Sequence, residues 1–430
     1  GVRKMVIYTV RRGDNLYSIA RRFGVPMQML IDDNRPQNPD NLVVGQTIVI
    51  ATDSINHTIA PGESLFTIAR RYGTTVAQIL QANPEITNPV TIYPGQVISI
   101  PVQDRKLGTI DVNGYAFPSI SDTTLQDTLP HLTYFSIFSY QVRADGSLVA
   151  INDESLISSA RAQNVAPLMV ITNILEGGSF DSDLAHTILT NQQVQTTLLN
   201  NVVQTLDSKN YFGLDIDFEY IFPDDREAYN RFIRRVVDRL RPLGYTVTTA
   251  LAPKISGDQQ GLLYEAHDYA FHGATVDHVI LMTYEWGYTY SPPRAVAPVN
   301  LVEDVLRYAI TVIPSEKILM GIPNYGYNWT LPFVQGSAAR TISNTAAVNL
   351  AARENAEIQF DEESQSPFFN YYDDQGREHE VWFEDARSIQ AKLELVNEYN
   401  LGGVSYWTVN SFFPQNWLVL ESMYNVRKVL

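Results

Sequence analysis

Gly213-Leu214-Asp215-Ile216-Asp217-Phe218-Glu219-Tyr220 is the stretch on which the reading of this chain turns. Three carboxylates alternate there with three large apolar residues. Side chains of a strand alternate faces with period two. As a strand, it places Asp215, Asp217 and Glu219 on one face and Leu214, Ile216 and Phe218 on the other. Like charges that close repel, and each raises its neighbour's pKa. Such a cluster suits chemistry that needs a carboxyl group kept protonated near neutral pH. Taken alone, the triplet leaves two other readings open: a divalent-metal site and an acidic surface strand.

Outward from this stretch, short apolar runs alternate with helical patterns from Gly108 to the end of the chain. The runs predict strands near Asp111–Phe117, Leu132–Phe138, Pro167–Ile171, Gly213–Glu219, Thr246–Leu251, His278–Tyr284, Ile318–Pro323 and Gly403–Trp407. Helical spacing falls between them, as at Asp224–Leu240, Leu301–Ile313 and Glu384–Tyr399. Eight strand–helix repeats over 108–430 imply an α/β fold, a (β/α)8 barrel. The alternative is an open doubly wound sheet, but no Gly-rich phosphate turn supports a nucleotide site. The interval from Asn324 to Glu384 is too long for one loop and helix, and predicts a small insertion after the seventh strand.

In such barrels, catalytic groups sit at the C-terminal ends of the strands. The fourth end carries the acidic triplet, the sixth Met282-Thr283-Tyr284-Glu285-Trp286, and the eighth Ser405-Tyr406-Trp407. Carboxylates beside aromatic rings suit a sugar site, although Trp407 alone reads equally well as core. Together, the D-x-D-x-E strand, Tyr220, the M-T-Y strand (Met282, Thr283, Tyr284) and Trp407 resemble glycoside hydrolase family 18, in the order that family requires. The resemblance implies a retaining, substrate-assisted hydrolysis. It makes Glu219 the general acid and then base, and Asp217 the residue that orients the substrate's nucleophilic 2-acetamido group. Asp215 supports Asp217, Tyr284 bonds the acetamido carbonyl, and Trp407 floors the sugar. Met282, Glu285, Trp286, Tyr115 and Tyr325 are the further substrate-binding candidates. No metal and no cofactor is implied. Two departures stand out: Phe212 and Glu285 occupy positions where the family often has aspartate. The insertion also looks shorter than that of many chitinases, which predicts an open, shallower cleft.

The first hundred residues repeat once. Tyr8–Gly24 matches His57–Gly73, Asn34-Arg35-Pro36 answers Asn83-Pro84, and Val44-Gly45-Gln46 answers Pro94-Gly95-Gln96. A period of about fifty residues signals a repeated small unit. Each unit reads strand, helix, helix, strand. Asp14 or Asn15, and Ser64, are N-cap candidates, and Gly24 and Gly73 are stops. The pattern resembles the LysM module, which implies two βααβ units, at residues 5–51 and 55–102, ahead of the barrel at 108–430. It also implies glycan binding between the loops Gly13–Leu16 and Asn34–Asn38, and between Gly62–Leu65 and Asn83–Thr87. The candidates there are Gly13, Asp14, Asn34, Gly62, Glu63 and Asn83. Read without the resemblance, these residues simply make turns. Val102–Lys106 reads as a linker.

The chain has 430 residues, 45% hydrophobic and 18% charged, as expected of a globular protein of two or more domains. It has no cysteine, which excludes disulfides and thiolate metal sites. The net charge of −16 divides into +3 over residues 1–106 and −19 beyond, so nucleic acid is not an expected partner. No apolar run has the ~20 residues of a membrane span. No secretory signal is recognisable, and Gly1–Lys4 reads as an extension ahead of Met5. Two LysM-like units before a family-18-like barrel resemble the fragment-lytic N-acetylglucosaminidases of the bacterial spore cortex. That implies peptidoglycan or another N-acetylglucosamine-containing glycan as partner, and a spore coat, cortex or cell-wall location. The alternatives are a chitinase or chitooligosaccharidase using the same site, and a barrel that binds glycan without cutting it.

Overall fold

The computed structural model describes residues 4–103 and 106–430. The first three residues, and Asp104 and Arg105 of the expected linker, lie outside the described residues. Eight parallel strands close into a barrel: Gly108–Ala116, Tyr134–Val142, Ala166–Thr172, Gly213–Asp217, Thr246–Leu251, His278–Leu281, Ile318–Pro323 and Gly403–Trp407. The first strand pairs with both the second and the eighth, which completes the ring. Period-two alternation then sorts the fourth strand as the sequence predicts. Leu214, Ile216 and Phe218 are fully buried outward against the helices, where Phe218 stacks on Tyr229 and Phe232 of helix Arg226–Leu240. Asp215 and Asp217 are buried on the other face, toward the barrel axis.

Two strands stop earlier than their apolar patterns suggest. The fourth ends at Asp217, because the Phe218 carbonyl accepts from His267 Nε2 (2.8 Å) and the Glu219 N–H donates to Asn173 Oδ1 (2.9 Å) instead of joining the ladder. Tyr220, at φ 59°, then turns the chain away. The sixth ends at Leu281, and Thr283 and Tyr284 close tight turns onto the Leu281 and Met282 carbonyls at 2.9 and 2.8 Å. Side chains released in this way at a strand end reach over the barrel mouth. After the seventh strand the insertion forms a five-stranded antiparallel sheet (Gly326–Thr330, Arg340–Ile342, Gln359–Asp361, Ser366–Tyr372, Glu378–Trp382) with one helix, Asn344–Arg353.

The two N-terminal units share one βααβ pattern. The first has strands Met5–Thr9 and Thr47–Ala51 around helices Leu16–Phe23 and Met27–Asn34; the second has Ser54–Thr58 and Val97–Pro101 around Leu65–Arg71 and Val76–Ala82. The N-caps are Asn15 and Ser64, each with a reciprocal capping box. Asp14, the other cap candidate, instead accepts from Tyr8 Oη (2.6 Å) and the Arg11 N–H (2.7 Å).

The repeats differ in what they touch. In the first module Val49 enters the main core of the barrel and Val43 enters the core of the insertion. Gln415 donates to Asn34 Oδ1 (2.9 Å) and to the Thr47 carbonyl (2.7 Å), and accepts from Thr47 Oγ1 (2.8 Å), all in buried surroundings. The second module keeps its own core of Ile59, Leu65, Ile68, Ile79, Ile98 and Ile100. Gly45 and Gly95 are equivalent turn glycines at φ 91° and 87°, yet a Cβ at Gly45 would overlap the Ile358 carbonyl, whereas at Gly95 it would meet open space. Both Gly45→Ala and Gly95→Ala carry the backbone cost of positive φ, on the order of 1 kcal/mol. Gly45→Ala is expected to lose a further ~1–3 kcal/mol through overpacking. Thermal unfolding of the two variants checks this; equal losses would contradict a packed seam between the first module and the barrel.

Candidate active site

Asp215 is fully buried near the middle of the barrel. It accepts a short hydrogen bond from Tyr115 Oη on the first strand and a long one (3.5 Å) from Ser136 Oγ on the second. Burial pushes its pKa up to about 8; the Tyr115 bond opposes that rise, and the neighbouring Asp217 charge adds to it. Asp217 sits above, and its carboxyl bonds Glu219. Burial, the Glu219 charge and that bond hold its pKa well above the usual carboxylate range. Burial raises Glu219 as well; the bond from Asp217 opposes this and the Glu285 charge reinforces it. The Asp217–Glu219 pair thus retains a proton that an exposed pair would release. One oxygen each of Asp215 and Asp217 is buried without a partner, so neither carboxylate is fully satisfied as an anion.

Glu219 is the half-exposed member, and three elements fix its backbone. Asn173, just past the third strand, accepts from its N–H and donates to its carbonyl (2.8 Å). His267 accepts from the Ala252 N–H at Nδ1 (2.9 Å), so its Nε2 carries the hydrogen given to the Phe218 carbonyl. Burial pushes His267 down to about 4, which keeps it in that neutral form. Ser182 Oγ donates to the Tyr220 carbonyl. Asn173, Ser136 and His267 were not among the sequence candidates. Asn173 carries a readable signal, a polar residue at the C-terminal end of a predicted strand; His267 lies in a long loop and carries none.

Tyr284 is half-buried beside the acids, and burial together with their charges keeps its hydroxyl protonated as a donor. Glu285, at φ 71°, accepts from Tyr325 Oη (2.9 Å) and from Tyr327 Oη (3.0 Å). The insertion thereby grips the residue that departs from the family pattern, and Tyr327 is an addition to the candidates. Trp407 is half-buried and rests on Phe138 (4.9 Å), Tyr115 (5.3 Å) and Phe117 (5.7 Å). Met282 packs in the barrel interior beside Trp407.

Two candidates, Tyr115 and Trp286, occupy other places than a sugar-lining role requires, and Phe212, where the family often has aspartate, has apolar surroundings. Tyr115 is 2% exposed and spends its hydroxyl on Asp215, so it positions a carboxylate. Trp286 packs against the main core. Phe212 lies against Tyr134 (6.1 Å), in an apolar cluster with Leu168 and Val429. In the modules, Asn34 and Asn83 are buried, and each amide bridges a helix end to the closing strand, through Leu30 and Val49 and through Ile79 and Ser99. They are cross-braces, not groove-facing groups. Glu63 is similarly held by His57 (2.7 Å) and the Ala60 N–H (2.8 Å). Gly13 and Gly62 are at φ 89° and 85° with open space around them. Among the described residues no cluster of His, Asp and Glu is arranged to hold a metal ion, and no helix is long and apolar enough to cross a membrane.

The model of glycosyl hydrolases family 18 matches residues 115–411. The chain belongs to that family. LysM domains match residues 8–51 and 57–101. Over 99% of both chains it is 45% identical to a cortical fragment-lytic enzyme of Bacillus subtilis (strain 168). The crystal structure of the spore cortex-lytic enzyme SleL of Bacillus megaterium QM B1551 superposes with a TM-score of 0.89 at 41% identity, covering 100% of each chain. A chitinase from Chromobacterium violaceum, 25% identical, matches 73% of this chain and 99% of its own with a TM-score of 0.69. The protein is a glycoside hydrolase with an N-terminal pair of LysM modules.

Asn173→Ala is expected to lower kcat by ~100-fold with little change in the circular dichroism spectrum, because it frees the backbone of Glu219 without touching a carboxyl. Steady-state kinetics check this; an unchanged kcat would show that Glu219 is held by other means. A second outcome concerns stability. Unfolded Asp215 ionises near pH 4, whereas folded Asp215 keeps its proton up to about 8. The folded state therefore binds more protons over that window, and stability falls as pH rises through it. Asp215→Asn should flatten this dependence in urea titrations at pH 4, 6 and 8.

Proposed function

We propose that the protein is a retaining, substrate-assisted N-acetyl-β-D-glucosaminidase that hydrolyses N-acetylglucosamine linkages in spore cortex peptidoglycan. The observation that carries the reading is the column of buried Asp215 and Asp217 with the partly buried Glu219 at its outer end, protons retained among the carboxyls, and the hydroxyl of Tyr284 beside them. Full-length identity to a cortical fragment-lytic enzyme supports the substrate.

In this reading a sugar lies on Trp407. The Glu219 carboxyl gives its proton to the glycosidic oxygen as the C1–O bond breaks. The acetamido carbonyl oxygen of the same sugar bonds to C1 and forms an oxazolinium ion. Asp217, its proton shifted within the column, faces the acetamido N–H and offsets the positive charge, while Tyr284 donates to the acetamido oxygen. Water then attacks C1 and gives its proton to the Glu219 carboxylate, which restores the acid and yields net retention. An internal nucleophile held in this way gains a large effective concentration, and a low-dielectric floor strengthens each charge interaction. LysM binding keeps the barrel near its polymer. The location that goes with this substrate is the spore coat and cortex or the cell wall.

Glu219→Gln should abolish release of fragments ending in reducing N-acetylglucosamine from purified cortex, read by mass spectrometry, while wall binding persists. Undiminished turnover in that variant would overturn the assignment. The same acid gives the pH profile its sign: activity must fall as pH rises through the elevated pKa of Glu219, because the proton donor is lost. The likeness to a chitinase keeps a second reading, hydrolysis of chitin oligosaccharides by the same site. A higher kcat/KM on soluble chitin oligomers than on cortex fragments would favour it.

A further inference from the structure

The fifth strand ends at Leu251, and just beyond it Lys254 is fully buried. No step of the proposed reaction uses its amine. Among the described residues Lys254 Nζ makes one hydrogen bond, to the His267 carbonyl (2.8 Å), and no ion pair; it lies 5.8 Å from the centre of the Tyr269 ring. The nearby carboxylates are committed elsewhere. Asp268 accepts from Arg226 (3.2 Å), Asn230 (3.0 Å) and the Phe271 N–H (3.1 Å), and Glu265 accepts from the Gly261 N–H (3.1 Å). Burial pushes the amine down to about 8; the Arg226 charge adds to this, and the charges of Asp268, Glu265 and Asp258 oppose it. The side chain is therefore an ammonium at neutral pH. A buried ammonium without an ion pair is costly, and a methionine would fill similar space without that penalty.

The penalty falls where it bears on the acid. The His267 ring joins two neighbouring strand ends: Nδ1 accepts from the Ala252 N–H (2.9 Å), and Nε2 donates to the carbonyl of Phe218, the residue before Glu219. Lys254 fixes the backbone from which that ring projects. Tyr269 closes the same corner, because its hydroxyl accepts from the Lys254 N–H (2.8 Å) and donates to the Ala252 carbonyl. The ammonium also favours the ring form that the clamp needs. Burial is the main cause that holds His267 low, the bond to Phe218 opposes it, and the Lys254 charge reinforces it. A doubly protonated His267 would set a donor against the Ala252 N–H and open the clamp. His272 meets the same field, and burial pushes it down to about 3.

Lys254 has no exposed surface, so it touches no sugar. We propose that Lys254 is a positioning residue of the glycosidase: its ammonium fixes His267, and through the His267 ring it sets the place of Glu219 at the cleavage point. The inference rests on the acid–base role of Glu219 given above.

The test compares full-length native protein with Lys254→Met, His267→Ala and the double variant, by steady-state kinetics on a chromogenic chitobioside. Lys254→Met should lower kcat by ~tenfold with KM unchanged, as expected when a reacting group is slightly displaced. In the His267→Ala background Lys254→Met should cost nothing further, because a residue that acts through another loses its effect with it. Unchanged kcat in Lys254→Met, a raised KM alone, or additive losses in the double variant would overturn the proposal. Unfolding of Lys254→Met, read by circular dichroism, would overturn it as well, since the lysine would then be structural. If the native protein leaves the chitobioside uncut, the substrate reading fails instead. In that case, or if His267→Ala does not fold, the ring nitrogen shifts of His267 decide. Native protein should show Nε2 protonated and Nδ1 accepting, and Lys254→Met should disturb that pattern; a native pattern in Lys254→Met overturns the proposal.

Discussion

Everything at this site depends on taking carboxyl groups out of water next to one another. An isolated carboxylate in a low-dielectric interior is strongly disfavoured, so it either finds a counter-ion or keeps its proton. Among the described residues no cation faces Asp215, which is bonded by the hydroxyls of Tyr115 and Ser136 and is pushed up to about 8. A proton that cannot leave the column is a proton available for transfer. The opposite solution appears with Asp111, where Arg427 (2.6 Å) and His278 (3.4 Å) hold a buried carboxylate below the usual range. The same barrel therefore tunes two buried aspartates in opposite directions by supplying or withholding a cation.

The barrel supplies this environment because it is closed. Closure directs alternate residues of every strand inward, so the acids of one strand meet Tyr115 and Ser136 from two others. The working end needs the ladder to stop. Asn173 and His267 take over the backbone groups of Phe218 and Glu219 that a longer strand would have used. Glu219 is in this way fixed in its backbone, while its carboxyl is bonded to Asp217.

The two LysM modules show how one sequence pattern serves two mechanical roles. Both use a capping box and a buried asparagine brace. The first is welded to the barrel through Val49, Val43 and Gln415. At the position of Val43 the second exposes Tyr93 at 63%, so its equivalent face remains in solvent. Each module has a small core of its own, and among the described residues it is the first whose buried residues also join the clusters of the barrel and its insertion.

The sequence by itself determined what depends on periodicity and side-chain chemistry. Alternation marked the eight strands, the repeat marked the two modules, and the D-x-D-x-E run, Tyr284 and Trp407 marked the cleft, because those properties belong to neighbouring residues along the chain. Only the tertiary structure decided where contacts distant in sequence fell. Tyr115 read as a sugar contact and is a carboxylate support, since its hydroxyl meets a residue one hundred positions away. Trp286 read as cleft and packs on the core, and Asn34 and Asn83 read as glycan contacts and brace their own modules. Asn173, His267 and Tyr327 escaped notice because each acts on a backbone or carboxylate that folding alone brings near. Period and composition are local quantities; which polar group satisfies which is settled only when the barrel closes and water is excluded.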